Sequence, residues 1–437
     1  MSNQLTVTPR DLSANTIPGG NGWRASLDKS EKGNTLPTLS NARRVIMTHP
    51  FLKDCFKWSE FDESPMLMRP LPCMKSEGLI PPDVNGVYPQ RFSDKFHTYL
   101  RDVMSIVAEA NFKDSDIKQA VQNAAQQNIY NPIRDYLNSL TWDGVPRIDN
   151  WLHDGLAAED TELNSKMGRM FLIAACRRAC FRKYKFDSML ILEGPKGLQK
   201  STACRVLFGD DYFVEGTGDI RKEETIKKLA GKWAAEIPEG NGFLSASAEA
   251  QKEFLSKEAD TYRRAYATWD CTVPRRFVLI MTTNASEYLQ ETETDRRFWS
   301  VKCGATGDTD VDWIQENRDQ LWAEAYHHAM LKDENGKLVE QTYLNPEDII
   351  RLGCVQIERV IDDPWGNIIR RHLLVEAEGI KEITTMQLLN NVLAVPINQQ
   401  DKSAMTKIGY IMRDMGWSKI RRRDGSVREY VYVRPEN

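Results

Sequence analysis

No apolar run in this 437-residue sequence approaches the length of about 20 residues that a membrane span requires, so a helical membrane protein is excluded. The amino terminus shows no basic-then-apolar signal pattern, and a cytosolic chain with no membrane partner is expected. Positive charge is not in excess either. Lys and Arg number 58 against 62 Asp and Glu, a net charge of -4, so binding to a polyanion by bulk charge is excluded and any nucleic-acid contact must come from local basic clusters. Paired cysteine motifs are missing. The eight cysteines are scattered, the closest pair being Cys176 and Cys180 at helical spacing, and they read as reduced core residues with a metal site as the alternative. His327-His328 lacks an H-E-x-x-H context and reads as structural or solvent-facing. The amino-terminal third holds no primase-like metal constellation, so primer synthesis is not expected.

What is present divides the chain. Residues 1–40 are rich in Asn, Ser, Thr, Gly and Pro, with Trp23 the main large apolar side chain, and are expected to form a disordered or arm-like tail. Over 41–156 a helical period appears: Phe96, Tyr99, Leu100, Val103 and Ile106 recur at three- and four-residue steps, as do Ile117, Val121 and Ala124. A helical N-terminal domain is predicted. It closes in "NPIRDYLNSLTWDGVPRIDNWL", where Pro132 opens a helix, Asp143-Gly144 turns the chain, and Trp142 and Trp151 are anchors. From 157 to 340, alternating strand and helix patterns predict an α/β domain.

Within that domain, "SMLILEG" reads as a strand and "STACRVLFG" as a helix, and "ILEGPKGLQKST" between them follows G-x-x-x-x-G-K-S/T with one departure. Strand, glycine turn, Lys-Ser and helix together make a phosphate-binding loop, in which backbone N–H groups and the positive helix end face the phosphates. The candidate nucleotide-binding residues are Gly194, Pro195, Lys196, Gly197, Leu198, Gln199, Lys200, Ser201 and Thr202. Lys200 is expected to reach the β and γ phosphates of ATP, and Ser201 to hold Mg2+. Gln199 stands where glycine is usual. Its backbone N–H is intact; if positive φ is required there, the strain is on the order of 1 to 3 kcal/mol.

Further motifs follow in order. "LAGKWAAEIPEG" places a short strand before Glu236 and Glu239, one acid for the metal and one to orient or deprotonate water, with the division between them open. "RRFVLIMTTNAS" ends an apolar strand in Thr282-Thr283-Asn284, setting an amide at the carboxyl edge where α/β sheets bind ligands. "ETDRRFW" presents Arg296 and Arg297, a guanidinium pair suited to charge on a γ phosphate when supplied by a neighbouring subunit.

The ordered set "GPKGLQKST", "GKWAAEIPE", "FLSKEADTYRRAY", "PRRFVLIMTTN", "DRRFW" and "QLWAEA" resembles the virulence-associated E family of phages, prophages and phage satellites. The resemblance covers roughly residues 131 to 330. It implies a P-loop NTPase core similar to superfamily 3 helicases and, more distantly, AAA+ proteins, acting in DNA replication of such elements inside a bacterial host cell. It implies Lys200 and Ser201 as phosphate-loop residues, Glu236 with Glu239 as the acidic motif, Asn284 as sensor and Arg296 with Arg297 as the finger pair. It further implies that Lys257, Arg263 and Arg264 lie toward a DNA-contacting channel. Two departures stand out: Gln199, and acids three apart rather than adjacent.

Over 345–437, "ITTMQLLNNVLAV" and "KSAMTKIGYIMRDMGW" read as helices and "SKIRRRDGSVREYVYVR" as a hairpin turned at Asp424-Gly425, a winged-helix-like pattern. Arg421, Arg422, Arg423 and Arg428 crowd that wing, with Lys407, Arg413 and Lys419 nearby, and predict DNA backbone contact. The expectation is an ATP-hydrolysing, DNA-translocating helicase, a homo-oligomeric ring taken as a hexamer, with single-stranded DNA in its channel and duplex origin at its C-terminal domain. The alternative is a replication initiator or regulator that uses ATP only as an assembly switch.

Overall fold

The computed structural model describes residues 22–74, 77–83, 86–263, 270–289, 295–360, 364–373, 380–424 and 427–434. In the N-terminal body, helices Leu39–Thr48, Asp94–Ala108 and Asp114–Gln126 enclose a core that includes Val45, Phe96, Leu100, Val103, Ile117 and Val121. Each helix buries one apolar stripe and turns its polar face outward. The body is not helical throughout. Strands β1 (Phe56–Ser59), β2 (Ser64–Leu67), β3 (Gln90–Arg91) and β4 (Ile129–Tyr130) form a sheet in the order β3-β2-β1-β4. Such short strands leave no alternation long enough to read.

The expected tail divides in two. Residues 1–21 lie outside the described residues, whereas Trp23 and Leu27 are buried in the N-terminal core, the Trp23 ring 4.7 Å from that of His49. Trp23 and Leu27 bring apolar area to an otherwise polar segment, and the Asn41 amide, donating to the carbonyls of Asp28 at 2.8 Å and Leu36 at 2.9 Å, fastens it further. The boundary expected after residue 156 also shifts. Asn131 caps helix Pro132–Ser139 and donates to the Ala179 carbonyl at 2.9 Å, and Ile133, Leu137, Ile148 and Trp151 enter the core of the following body. Glu324 accepts the N–H groups of Arg147 at 2.6 Å and Ile148 at 3.0 Å, fastening the stretch to helix Val311–Met330.

That body is mixed α/β around a parallel sheet. Strands β5 (Met189–Glu193), β6 (Phe213–Glu215) and β7 (Ala234–Pro238) are followed by an antiparallel hairpin, β8 (Ala259–Arg263) and β9 (Asp270–Pro274), then by β10 (Val278–Thr283) and β11 (Phe298–Lys302). The five parallel strands run in the order β11-β5-β10-β7-β6. Leu190 and Leu192 enter the core on one face, Met189 and Ile191 the core on the other, as a parallel sheet buried on both sides requires. Strand β10 therefore separates β5 from β7, and its carboxyl end lies between theirs.

The C-terminal body combines helices Pro364–Arg371 and Lys402–Asp414 with strands β12 (Glu382–Thr384), β13 (Ser418–Asp424) and β14 (Val427–Val433), ordered β12-β14-β13, around Ile383, Ile408, Met412, Trp417 and Tyr432. The helix expected over 383–395 is present but shorter and partly of another kind: an α-turn at Thr385–Gln387 runs directly into a π-helix at Leu388–Val392, with β12 ahead of it. The hairpin closes on the pair Asp424 and Val427. Among the described residues, no helix is long and apolar enough to cross a membrane.

Candidate functional site

The chain leaves β5 at Glu193, curls through 194–199 and enters helix Lys200–Phe208. Gly194 has φ +146° and a Cβ built there meets the Cys303 carbonyl oxygen at 2.8 Å, so a side chain is excluded both by conformation and by space. Leu198 anchors the curl from outside, its carbonyl accepting the Thr309 hydroxyl at 2.9 Å. Gln199 is the last residue before the helix. It adopts φ +49° and ψ 29°, the left-handed conformation, with its side chain exposed and making no cap. A non-glycine residue is strained there by roughly 1 to 2 kcal/mol.

Lys200 follows and is buried. Its ammonium donates to the carbonyls of Gly194 at 2.6 Å and Pro195 at 3.1 Å and to Asn284 Oδ1 at 3.1 Å, and burial pushes its pKa down. Ser201 Oγ donates to Glu236 Oε1 at 2.5 Å, and the Thr282 hydroxyl donates to the same oxygen. Glu236 Oε2 is buried and makes no hydrogen bond. Burial raises the Glu236 pKa, against the two hydroxyl bonds that lower it. A carboxylate with one oxygen bonded and the other bare, beside a serine hydroxyl, is a donor set that suits Mg2+, which prefers few protein oxygens.

Glu239, in a left-handed conformation at φ +50°, turns back to β10. Its N–H donates to the Thr282 carbonyl at 2.7 Å; its carboxylate accepts the Asn284 N–H at 3.1 Å, the Thr283 hydroxyl at 3.2 Å and the Asn284 side-chain amide at 2.5 Å. Asn284 thus bridges Lys200 and Glu239. The sheet order produces this meeting: Thr282 is level with Leu192 on β5 and Pro238 on β7.

The arginine pair lies elsewhere. Met189 N donates to the Arg297 carbonyl at 2.8 Å, which sets Arg296 and Arg297 at the amino end of β5, roughly 15 Å along the strand from the loop. Arg296 pairs with Asp187 at 2.9 Å, and Arg297 pairs with Asp295 at 2.9 Å and Asp187 at 3.4 Å. Lys257 ends helix Ala248–Ser256 and pairs with Glu253; Arg263 faces Asp270 across the β8–β9 hairpin at 3.4 Å; Arg264 lies outside the described residues. On the wing, exposed Arg421 sits 5.9 Å from the Tyr430 ring centroid, and Lys419 5.0 Å from it. The side chains of Arg422, Arg423 and Arg428 are outside the described residues, while the strand register pairs Arg422 with Glu429 and Arg423 with Arg428.

Two contributors escaped sequence reasoning. Thr282 was visible as part of Thr-Thr-Asn, but its bond to Glu236 depends on strand neighbours 46 residues apart. Glu193 accepts both nitrogens of an Arg359 fork, and no motif signals that pair. All eight cysteines are free, and among the described residues no group of three or more His, Cys, Asp or Glu stands ready for a metal.

Comparison with known proteins finds a family model that matches part of the chain. Residues 137–348 match the model of the virulence-associated protein E-like domain. Among solved structures, an apo structure of the NrS-1 C-terminal region (305–718) is similar at 11% identity and TM-score 0.43, over 86% of this chain and 95% of that one. An A-form apo structure of the same region gives 11% and 0.44, over 90% and 98%. No curated protein matches the chain.

Proposed function

Starting from residues 137–348 as a virulence-associated protein E-like domain, we propose that the chain hydrolyses ATP at the Gly194–Thr202 loop and uses the cycle to move along DNA during replication of a phage, prophage or phage satellite. The observation that carries this reading is the convergence of Lys200, the Ser201–Glu236–Thr282 cluster and the Asn284–Glu239 pair at the carboxyl edge of one parallel sheet. Such an edge, opening onto a helix amino terminus, suits a polyphosphate.

The loop N–H groups receive the β and γ phosphates of ATP, and Lys200 exchanges its loop carbonyls for phosphate oxygens. Ser201 and Glu236 hold Mg2+, which supplies charge neutralisation on the phosphates when bound. Asn284, released from Glu239, orients a water in line with the γ phosphate, and Glu239 takes the proton as the bond to the leaving oxygen of ADP breaks. Because Arg296 and Arg297 sit at the other end of β5, they serve only the site of a neighbouring subunit, in a ring we take as a hexamer. Lys257, at the end of helix Ala248–Ser256, and Arg263, on β8, face single-stranded DNA in the channel, and the C-terminal wing holds the origin duplex.

One observation favours a second reading. Both oxygens of Glu239 are committed to Thr283 and Asn284, a closed arrangement that fits an initiator or regulator in which ATP binding, not turnover, switches assembly. ATP hydrolysis with and without single-stranded DNA, beside Lys200→Ala, decides between them. DNA-stimulated turnover lost in Lys200→Ala supports the translocase; ATP binding without turnover selects the switch; undiminished turnover in Lys200→Ala refutes the site.

A further inference from the structure

The segment that leads into the C-terminal body grips the ATPase body at several points. Arg359 Nη2 donates to Glu193 Oε1 at 2.6 Å and Arg359 Nε to Glu193 Oε2 at 2.8 Å, a two-pronged pair in which both residues are buried. The Tyr288 hydroxyl lies 2.8 Å from the same carboxylate and 2.9 Å from Ser300 Oγ. The Arg359 carbonyl accepts the N–H groups of Tyr288 and Leu289, both at 2.9 Å, and Val360 makes a parallel bridge with Leu289. Gln356 donates its side-chain amide to the carbonyls of Asp295 at 2.8 Å and Phe298 at 2.7 Å. One short stretch therefore holds the chain that runs from Asn284 and the chain that carries Arg296 and Arg297.

The position of Glu193 gives these contacts their consequence. It is the last residue of β5, and Gly194 follows, pressed against Cys303 with no room for a Cβ. Movement of Glu193 therefore passes directly into the first turn of the phosphate loop. A buried Arg–carboxylate pair gains little over an apolar pair of similar volume, because desolvation offsets the attraction. What the fork adds is a fixed geometry, since two parallel N–H···O bonds fix direction as well as distance.

We propose that Arg359 is a positioning residue that couples the C-terminal body to the phosphate loop through Glu193, so that DNA held by that body alters nucleotide affinity. The inference rests on the nucleotide reading of the loop given above. By linkage, DNA and nucleotide then change each other's affinity by one common factor.

The test uses the full chain and a variant in which Glu193→Leu is combined with Arg359→Met, an apolar replacement expected to keep the fold, with Tyr288 still bonded to Ser300. The affinity for a fluorescent N-methylanthraniloyl ATP is measured with and without a duplex DNA oligonucleotide, the form of DNA assigned above to the C-terminal body, and a thermal melt verifies folding. The wild type is expected to show a coupling factor of about fivefold or greater. In the folded double variant the factor falls to one, while the affinity for the oligonucleotide alone stays unchanged. A factor of one in the wild type, or an unchanged factor in the variant, overturns the coupling. Failure of the wild type to bind the nucleotide probe at all is a different result, and overturns the nucleotide reading together with the inference.

Discussion

Replacing Gln199 with glycine tests the local physics of the loop with little else changed. The residue holds φ +49°, its side chain is exposed, and that side chain makes no cap, so the substitution removes strain without removing a contact. Left-handed backbone costs a non-glycine residue roughly 1 to 2 kcal/mol. Glycine returns about 0.5 to 1 kcal/mol of that through the greater freedom of its unfolded chain. The net expectation is stabilisation of about 0.5 to 1 kcal/mol, or an upward shift of roughly 1 to 4 °C in the melting of a domain of this size. Gln199→Ala keeps the strain and serves as the control; it is expected to melt with the wild type. Since the loop already has its shape, ATP affinity changes by less than about threefold in Gln199→Gly, a difference under about 0.7 kcal/mol. Equal melting of the glycine and alanine variants, or a loss of stability in the glycine variant alone, refutes the account of Gln199 as a strained residue.

Other outcomes follow from the same geometry. Glu324→Gln keeps an oxygen for the N–H groups of Arg147 and Ile148, which both bond Oε2, and removes a buried charge whose pKa burial has raised. With a raised folded-state pKa, the wild type loses stability as pH climbs above the ordinary carboxylate value near 4.5, so the variant melts with it at lower pH and above it at neutral pH. A constant difference across a pH series contradicts this. Lys419→Ala and Arg421→Ala are each expected to weaken DNA binding and to lower the salt slope of log K by about one, measured by anisotropy over a salt series; unchanged slopes remove the wing from the interface. Mixing Arg297→Ala with Lys200→Ala chains is expected to recover part of the ATP turnover each lacks alone, because an intact loop then meets an intact arginine. No recovery in well-formed mixed rings refutes action in trans.

Sequence by itself determined the elements whose physics is local. An apolar run, glycines and Lys-Ser predicted strand, curl and helix at 189–208; Thr-Thr-Asn marked a strand end; the helical period over 96–106 and 117–124 placed helices whose stripes are buried. Even the departure at Gln199 was legible as a question about φ, since steric preference belongs to a single residue. Short strands, the hold of Trp23 on its neighbours and the shift of 131–156 into the second core were not legible, because long-range packing overrides local composition there. Only the tertiary structure decided which candidate residues meet. Inserting β10 between β5 and β7 brought Thr282 to Glu236 and set Asn284 between Lys200 and Glu239, and the same sheet carried Arg296 and Arg297 to the opposite end. It also joined Glu193 to Arg359 across 166 positions. Spacing along a chain carries conformational preference over a few residues, whereas neighbourhood in a sheet follows from which faces can be buried together, and that is settled by the whole chain at once.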